Sequence, residues 1–375
     1  MNFRHWISLL AALYLTVCPV MAPAAPAAPE SLRTKAPFST HWPPPPAETP
    51  AEAPGQASLE AVEPPEEKTP EDGSFEIVLS FTGDMLLASA HGQRAAGNFL
   101  DYAAKQEPGY FLQNVRPIFE ADDFTVVNLE NVLTDRNLTP REKDTAPAFW
   151  FRGGTDSTAI LTAAGIEAVS LANNHTHDYG AAGYADTVRA VSDAGLQYGD
   201  NTHPLYLEKN GFRIAVICNG LWNEGQAASI AGRLRAAEEE SDYQIVFYHG
   251  GTEGVHTPEA WRVRASRRLV DAGADLVLGS HPHVLQPRET YQGAEIVYSL
   301  GNFCYGGSRQ PKNRTVIYQL TLTVEDGRLA DASSELIPCY VHTGKVNNYC
   351  PALITDEGQR QRVLDFMDGR SELPY

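Results

Sequence analysis

Cysteine is scarce, with five in 375 residues. Cys18 lies in the N-terminal apolar run. Cys218, Cys304, Cys339 and Cys350 form no C-x-x-C pair, which excludes a zinc ribbon. Basic residues are also in deficit: 29 Lys and Arg stand against 47 Asp and Glu, a net charge of −18. That balance excludes nucleic acid as a partner, and it means that an anionic polymer must be bound by a local site and not by the overall field. Beyond the N-terminus no apolar stretch is long enough to span a bilayer. The chain has no phosphate loop G-x-x-x-x-G-K-[ST], no G-x-G-x-x-G after its first strand and no G-x-S-x-G elbow. P-loop nucleotide hydrolases, dinucleotide-binding enzymes and elbow-type serine hydrolases are thereby set aside, and Ser280 beside two histidines does not revive the last. Trp150, Trp222 and Trp261 lack the spacing of an aromatic polysaccharide-binding face.

What is present divides the chain. Residues 1–24 combine Arg4, an apolar run from Trp6 to Val17 and a small-residue Ala22-Pro23-Ala24 site. This is the pattern of a secretory signal cleaved after about residue 24, with an uncleaved membrane anchor as the alternative. A lipoprotein reading at Cys18 is opposed by bulky Val17 before it. Fourteen of the 26 prolines fall in residues 1–72, with acidic residues through "EAVEPPEEKTPED". Such a composition cannot bury enough apolar surface to order itself, so residues 25–72 are expected to be a disordered, protease-sensitive tether. A folded domain is expected over 73–330, with residues 331–375 as a tail packing on it. The localisation that follows is extracytoplasmic, secreted or tethered to the cell surface, where disulfides are permitted. Four cysteines allow three full pairings. Cys339–Cys350 is the expected bridge, being close in sequence within an irregular tail. Cys218, inside the apolar run "RIAVICNG", is expected to be a buried thiol.

From residue 75 short apolar runs alternate with helical stretches. "FEIVLSFTGD", "FTVVNLEN", "FRIAVICNG", "YQIVFYHGG", "AEIVYSLGNF" and "RTVIYQLTLTVEDGRL" read as strands, the last turning at Asp326-Gly327. Helical patterns end at Gly165, Gly195 and Gly273, and two of these lead into strands ending "SLANNH" and "LVLGSHPH". This alternation predicts an α/β fold. Its informative feature is where the polar residues fall. Asp84, Glu130, His175, His249, His281 and His283 each lie just past the C-terminal end of a predicted strand, the edge at which open α/β sheets bind ligands. Imidazole with carboxylate or amide oxygen, and no thiolate, suits zinc, manganese, iron or cobalt. In an extended run, His281 and His283 would point the same way across Pro282.

Taken in order, "TGD", "VNLEN", "SLANNHTHDYG", His249-Gly250-Gly251-Thr252-Glu253, "LVDAGADLVLGSHPHVLQPRETYQG" and "IVYSLGNF" resemble the bacterial capsule synthesis proteins of the CapA (PGA_cap) type, distant relatives of the calcineurin-like metallophosphoesterases. The resemblance spans about residues 76–325. It implies a four-layer α/β/β/α sandwich holding one or two divalent transition metal ions, Mn, Zn or Fe. It implies Asp84, Glu130, Asn174, His249, His281 and His283 as metal ligands. His175 would act on the reacting group, oriented by Asp178, with His177 a solvated neighbour. Asn128, Asn173, Glu253 and Asn302, within the same motifs, are expected at the substrate. Two departures stand out. The superfamily's Asp-x-His reads Asp84-Met85-Leu86, which removes a histidine from one metal. The family's His-Trp-Gly-x-Glu-Tyr reads His249-Gly250-Gly251-Thr252-Glu253-Gly254, so a substrate wall is missing or replaced.

The function implied is a metal-dependent hydrolase acting on a phosphoester or a γ-glutamyl amide in capsule poly-γ-glutamate metabolism. The alternative is a non-catalytic accessory protein for polyglutamate assembly or export. The implied partners are a cell-surface polymer or a small phosphoester, together with membrane-bound capsule synthesis machinery.

Overall fold

A computed structural model of the chain describes residues 73–93, 96–144 and 147–375. The expected leader and tether lie outside the described residues. Among the described residues, fourteen strands build two sheets. In chain order they are β1 (Phe75–Leu86), β2 (Phe124–Leu129), β3 (Ala168–Ser170), β4 (Gln197–Gly199), β5 (Leu205–Lys209), β6 (Phe212–Gly220), β7 (Tyr243–His249), β8 (Leu276–Ser280), β9 (Leu285–Tyr291), β10 (Ala294–Leu300), β11 (Asn302–Tyr305), β12 (Thr315–Glu325), β13 (Arg328–Tyr340) and β14 (Ala352–Leu353). The first sheet runs β14-β13-β12-β1-β2-β3-β4, with β11 beside β1, and the second runs β9-β10-β8-β7-β6-β5. Strands β1 to β4 are mutually parallel, as are β6, β7, β8 and β10. A small third sheet joins Ser89–Ala90, Val132–Leu133 and Phe151–Gly153.

The layering follows from the two-residue period of each strand. In β6, Ile214, Val216 and Cys218 enter one core cluster, while Ala215 and Ile217 enter another. The first cluster also takes Ile77, Leu79 and Phe81 from β1 and Phe247 from β7, so it lies between the sheets. Phe81 and Phe247 meet edge to face across that gap, 5.7 Å between centroids. The second sheet's outer face is covered by α2 (Ala227–Glu238) and α3 (Ala260–Asp271), which contribute Ile230, Leu234, Ala265 and Leu269. The first sheet's outer face carries α1 (Gly180–Asp193), with Val127 and Val169 against Ala190 and Val191. Strands buried on both faces explain why the sequence shows continuous apolar runs and little polar alternation. The architecture is the expected four-layer α/β/β/α sandwich.

Asp326 and Gly327 both take positive φ, 49° and 74°, the conformation of a two-residue type I′ hairpin turn. Strand β13 therefore pairs with β12 from Arg328 to Cys339, and the boundary expected at residue 330 falls inside it. The helix α4 (Glu357–Met367) is capped by Asp356, whose side chain accepts from the Gln359 amide. Its Val363, Phe366 and Met367 enter the core between the sheets. Among the described residues all four cysteines are free and buried, which overturns the expected Cys339–Cys350 bridge. Cys339 faces the core and its thiol donates to the Ile337 carbonyl, whereas that of Cys350 donates to Tyr110 of a distant segment. Cys218 is a buried thiol, as expected.

Candidate metal centre

The C-terminal ends of β1, β2, β7 and β8 meet at one edge, and a constriction in β1 sets the first side chain. Strand β1 follows β12 as far as Phe81, then shifts register against β2 between Phe81 and Asp84. At Gly83 the chain crosses Gly301 so closely that a Cβ would lie 1.9 Å from the Gly301 carbonyl oxygen. The Asp84 amide bonds that same oxygen at 2.8 Å. Asp84 thus lies within β1 and not beyond it, and its carboxylate is fully buried. It accepts from Asn128 Nδ2 (2.9 Å) and from the His281 amide (3.1 Å), and it stands 3.0 Å from His283 Nδ1.

Glu130 is the first residue past β2, and its carboxylate is fully buried. Neither of its oxygens has a hydrogen-bond partner. Instead Oε1 faces three imidazoles, 3.4 Å from His249 Nε2, 3.8 Å from His283 Nε2 and 4.0 Å from His175 Nε2. His249, the last residue of β7, places Nε2 2.9 Å from Asn174 Oδ1 and 3.0 Å from His281 Nδ1, with Nδ1 2.9 Å from Ser280 Oγ. His281 and His283 do converge, 5.7 Å between ring centroids. The extended run expected between them is absent, however. Both take positive φ, 96° and 58°, so a turn brings the rings together.

Burial works against a charge on His283, but Glu130 and Asp84 outweigh it and raise its pKa to about 10. His249 is likewise desolvated by burial yet raised by Glu130 and Asp84. Burial and the two neighbouring imidazoles push His281 down to about 2. Burial alone would raise Asp84, but bonds from His249 and His283 hold it well below the usual carboxylate range. Two buried acids therefore share the cluster with a protonated His283 and favour the cationic form of His249, and a dication can replace that positive charge with release of protons.

Three overlapping groups place ligand atoms within 4.8 Å of one another: Glu130 with His249 and His281, Asp84 with Glu130 and His283, and Glu253 with His281 and His283. Orphaned Glu130 and a nitrogen–oxygen donor set without thiolate fit a borderline divalent ion. Leu86, where the superfamily has a histidine, is fully buried among Ala88, Phe151, Tyr305 and Val341 and contributes no ligand.

The four expected substrate residues separate. Asn128, Asn173 and Asn302 are buried, with their amides directed at other groups of the site. Asn173 donates to Asn128 Oδ1 and the Leu129 carbonyl, and its own Oδ1 accepts from the His175 amide. Asn302 Oδ1 lies 3.0 Å from His283 Nδ1. These three amides are held by hydrogen bonds within the cluster, to Asp84, His249, His283 and one another. Glu253 is exposed, 4.0 Å from His281 Nε2. His175 Nδ1 lies 2.8 Å from Asp178 Oδ2, which also accepts from the Phe151 amide. His177 is exposed.

Sequence reading missed Lys143, Trp222 and Tyr305. Lys143 Nζ lies 2.5 Å from Asp178 Oδ1 and donates to the Phe149 carbonyl at 2.6 Å. It sits in an irregular stretch, "REKD", where no pattern marks it. Trp222 and Tyr305 pack 5.0 Å from His281 and His283 respectively. Trp222 follows β6 at the same sheet edge as the histidines, so the strand-end rule applied there would have found it.

Residues 78–306 match the family described as bacterial capsule synthesis protein PGA_cap. The chain is 30% identical over 269 residues to the "PGA biosynthesis protein CapA" of Bacillus subtilis, covering 65% of this chain and 70% of that protein. It is 28% identical to the "Capsule biosynthesis protein CapA" of Bacillus anthracis over 69% of this chain and 68% of that one. A "probable polyglutamine synthesis accessory protein" of Mycobacterium tuberculosis matches at 27% identity over 54% of this chain and 62% of its own. Among solved structures, a hypothetical protein from Thermus thermophilus aligns over 70% of this chain and 99% of its own, with 17% identity and a TM-score of 0.42.

Proposed function

The chain belongs to the bacterial capsule synthesis protein PGA_cap family, and from that premise we propose a role in capsular poly-γ-glutamate metabolism, performed outside the cytoplasm by metal-dependent hydrolysis of a γ-glutamyl amide or a phosphoester. The observation that carries this reading is Glu130, a buried carboxylate whose two oxygens lack hydrogen-bond partners, set among three imidazoles. A buried carboxylate without hydrogen-bond partners costs several kcal/mol unless cations answer it, and these oxygens, facing only imidazoles, are open to a metal ion.

Asp84, Glu130, Asn174, His249, His281 and His283 would hold one or two divalent ions, which supply Lewis acidity and a water acidic enough to attack near neutral pH. The chain's own residues do the rest. Asn128 orients Asp84, and Asn302 orients His283. Asp178 fixes His175 through Nδ1 and leaves Nε2 facing the cluster, where a proton can be delivered to the leaving group. Lys143 balances the charge of Asp178, so the imidazole is oriented without an uncompensated acid behind it. The proposed substrates are a cell-surface polymer or a small phosphoester, with membrane-bound capsule machinery as a partner. Among the described residues no helix is long and apolar enough to cross a membrane.

The test is elemental analysis of the purified chain after reconstitution with manganese and zinc, then turnover on γ-glutamyl peptides and phosphoesters. Bound metal with turnover supports the hydrolase. A second reading, a non-catalytic accessory protein, is favoured by Leu86, which is apolar core where the superfamily has a ligand. A chain that stays metal-free after reconstitution decides for it.

A further inference from the structure

Gly250 and Gly254 occupy positions where an aromatic wall was expected to be lost or replaced, and Gly250 cannot be anything larger. A Cβ on Gly250 would lie 1.9 Å from the Leu221 carbonyl oxygen, because the chain leaving β6 lies flat against the chain leaving β7. Leu221 donates to the His249 carbonyl at 2.9 Å. On the other side, a Cβ on Gly220 would meet Trp222 Nε1 at 2.6 Å. Two glycines, one ending β6 and one following β7, thus let the segment Leu221-Trp222 fold down over the histidines. Its far end is held by Gln226, whose Oε1 accepts from the amides of Trp222 and Asn223.

The indole that results stands edge to face on two metal-site imidazoles at once. Its centroid is 5.0 Å from His281 at 88° and 5.8 Å from His249 at 71°. Yet 40% of its surface stays open to solvent, whereas His249, His281 and Glu130 are buried. Asn174 and Glu253 are the exposed members of the site. Trp222 therefore presents an apolar face directly beside the place where a scissile bond would sit, and it remains uncovered among the described residues.

We infer that Trp222 is a substrate wall: it packs the carbon skeleton next to the bond being cut, and the substrate it suits is a γ-linked glutamyl chain. Two methylenes separate the backbone units of such a chain, so an apolar strip lies beside each polar link, and an indole can cover that strip while the amide reaches the ion site. Aromatic side chains bind such strips through area burial with little loss of rotamer freedom. A bare phosphate would need the ion site alone and gain nothing from the indole. This inference rests on the hydrolase reading and assigns its specificity to one residue.

The experiment uses the full chain loaded with manganese, as wild type, Trp222→Ala and Trp222→Phe. Metal content is measured first, then binding of a γ-linked glutamate hexamer, phenyl phosphate and inorganic phosphate by calorimetry. Trp222→Ala is expected to keep wild-type metal content and inorganic phosphate affinity while its hexamer affinity falls by about tenfold or more, with Trp222→Phe restoring most of it. Unchanged hexamer binding in Trp222→Ala overturns the wall. If wild type binds both phosphates but not the hexamer, the γ-glutamyl assignment fails by itself. The wall is then decided by phenyl phosphate: it stands if Trp222→Ala loses the preference for phenyl over inorganic phosphate, and falls if that preference survives. A wild type that binds neither organic ligand refutes wall and substrate together.

Discussion

Replacing Glu130 with glutamine keeps the side chain's shape and removes its charge. Without metal, two opposed effects follow. The buried carboxylate, with no hydrogen-bond partner, no longer has to be desolvated. The cationic forms of His249 and His283 lose Glu130, the largest of the contributions that raise them. Each imidazole is then free to become neutral, so the metal-free variant should match wild type to within about 1 kcal/mol. With metal the difference should be large. At a ligand concentration a hundred times Kd, binding stabilises the native state by about 2.7 kcal/mol. For a domain of about 300 residues that raises the midpoint by about 4 °C. Glu130 belongs to two of the three overlapping ligand groups, so Glu130→Gln should lose most of this shift for manganese and zinc. Thermal melts with and without each metal, paired with elemental analysis, measure it directly. A variant that keeps the full metal-dependent shift and stoichiometry refutes Glu130 as a ligand. A metal-free variant that loses about 3 kcal/mol shows instead that the carboxylate serves the fold.

His175→Ala should keep metal content and fold but lose about 10²–10⁴ in turnover, and metal loss in that variant would make His175 a ligand. Gly83→Ala should cost at least about 1–3 kcal/mol by denaturant melts, because its methyl meets the Gly301 carbonyl, and should lower metal occupancy by displacing Asp84; a neutral result removes that account of the motif. Asp122 is held up to about 7 by burial and by Glu167 and Asp123 nearby. The folded state therefore binds that proton more tightly than the unfolded chain. The stability this gives is complete below about pH 4 and is lost as pH rises through about 7. Asp122→Asn, which mimics the protonated form, should match wild type near about pH 4 and exceed it by about 1–2 kcal/mol at about pH 8.5, a figure reduced for its partial exposure; equal stability at both pH values refutes the assignment.

The sheets were legible because burial writes itself locally. In "FRIAVICNG" every residue but Arg213 and Asn219 is buried, and such a run has few alternatives to an interior strand. The hairpin at Asp326-Gly327 and the position of His249 at a strand end were equally local. What the sequence hid depends on contacts between distant segments. The register shift that carries Asp84 needs Gly301, from a far later part of the chain. Alternation through Pro282 correctly brought His281 and His283 together but by the wrong backbone, since periodicity cannot reveal positive φ. The burial of Asn128, Asn173 and Asn302 was hidden too, because an amide in a strand-end motif reads alike whether it faces inward or outward. Lys143 reaches Asp178 from a loop without pattern, and the cysteine pairing failed because nearness in sequence does not bring two sulfurs face to face.

Strand β1 lies at the centre of its sheet between β2 and β12, and α4 closes the core between the sheets from farther along still. On a ribosome, Phe75–Leu86 emerges long before Thr315–Glu325, its antiparallel neighbour. The growing chain therefore holds an unfinished sheet through most of its synthesis, and the core between the sheets cannot close until the hairpin of β12 and β13 is made. Such long-range pairing folds slowly. For a chain exported as proposed here, that delay is useful. A translocation channel accepts extended polypeptide, and a topology that cannot close early would keep the chain threadable.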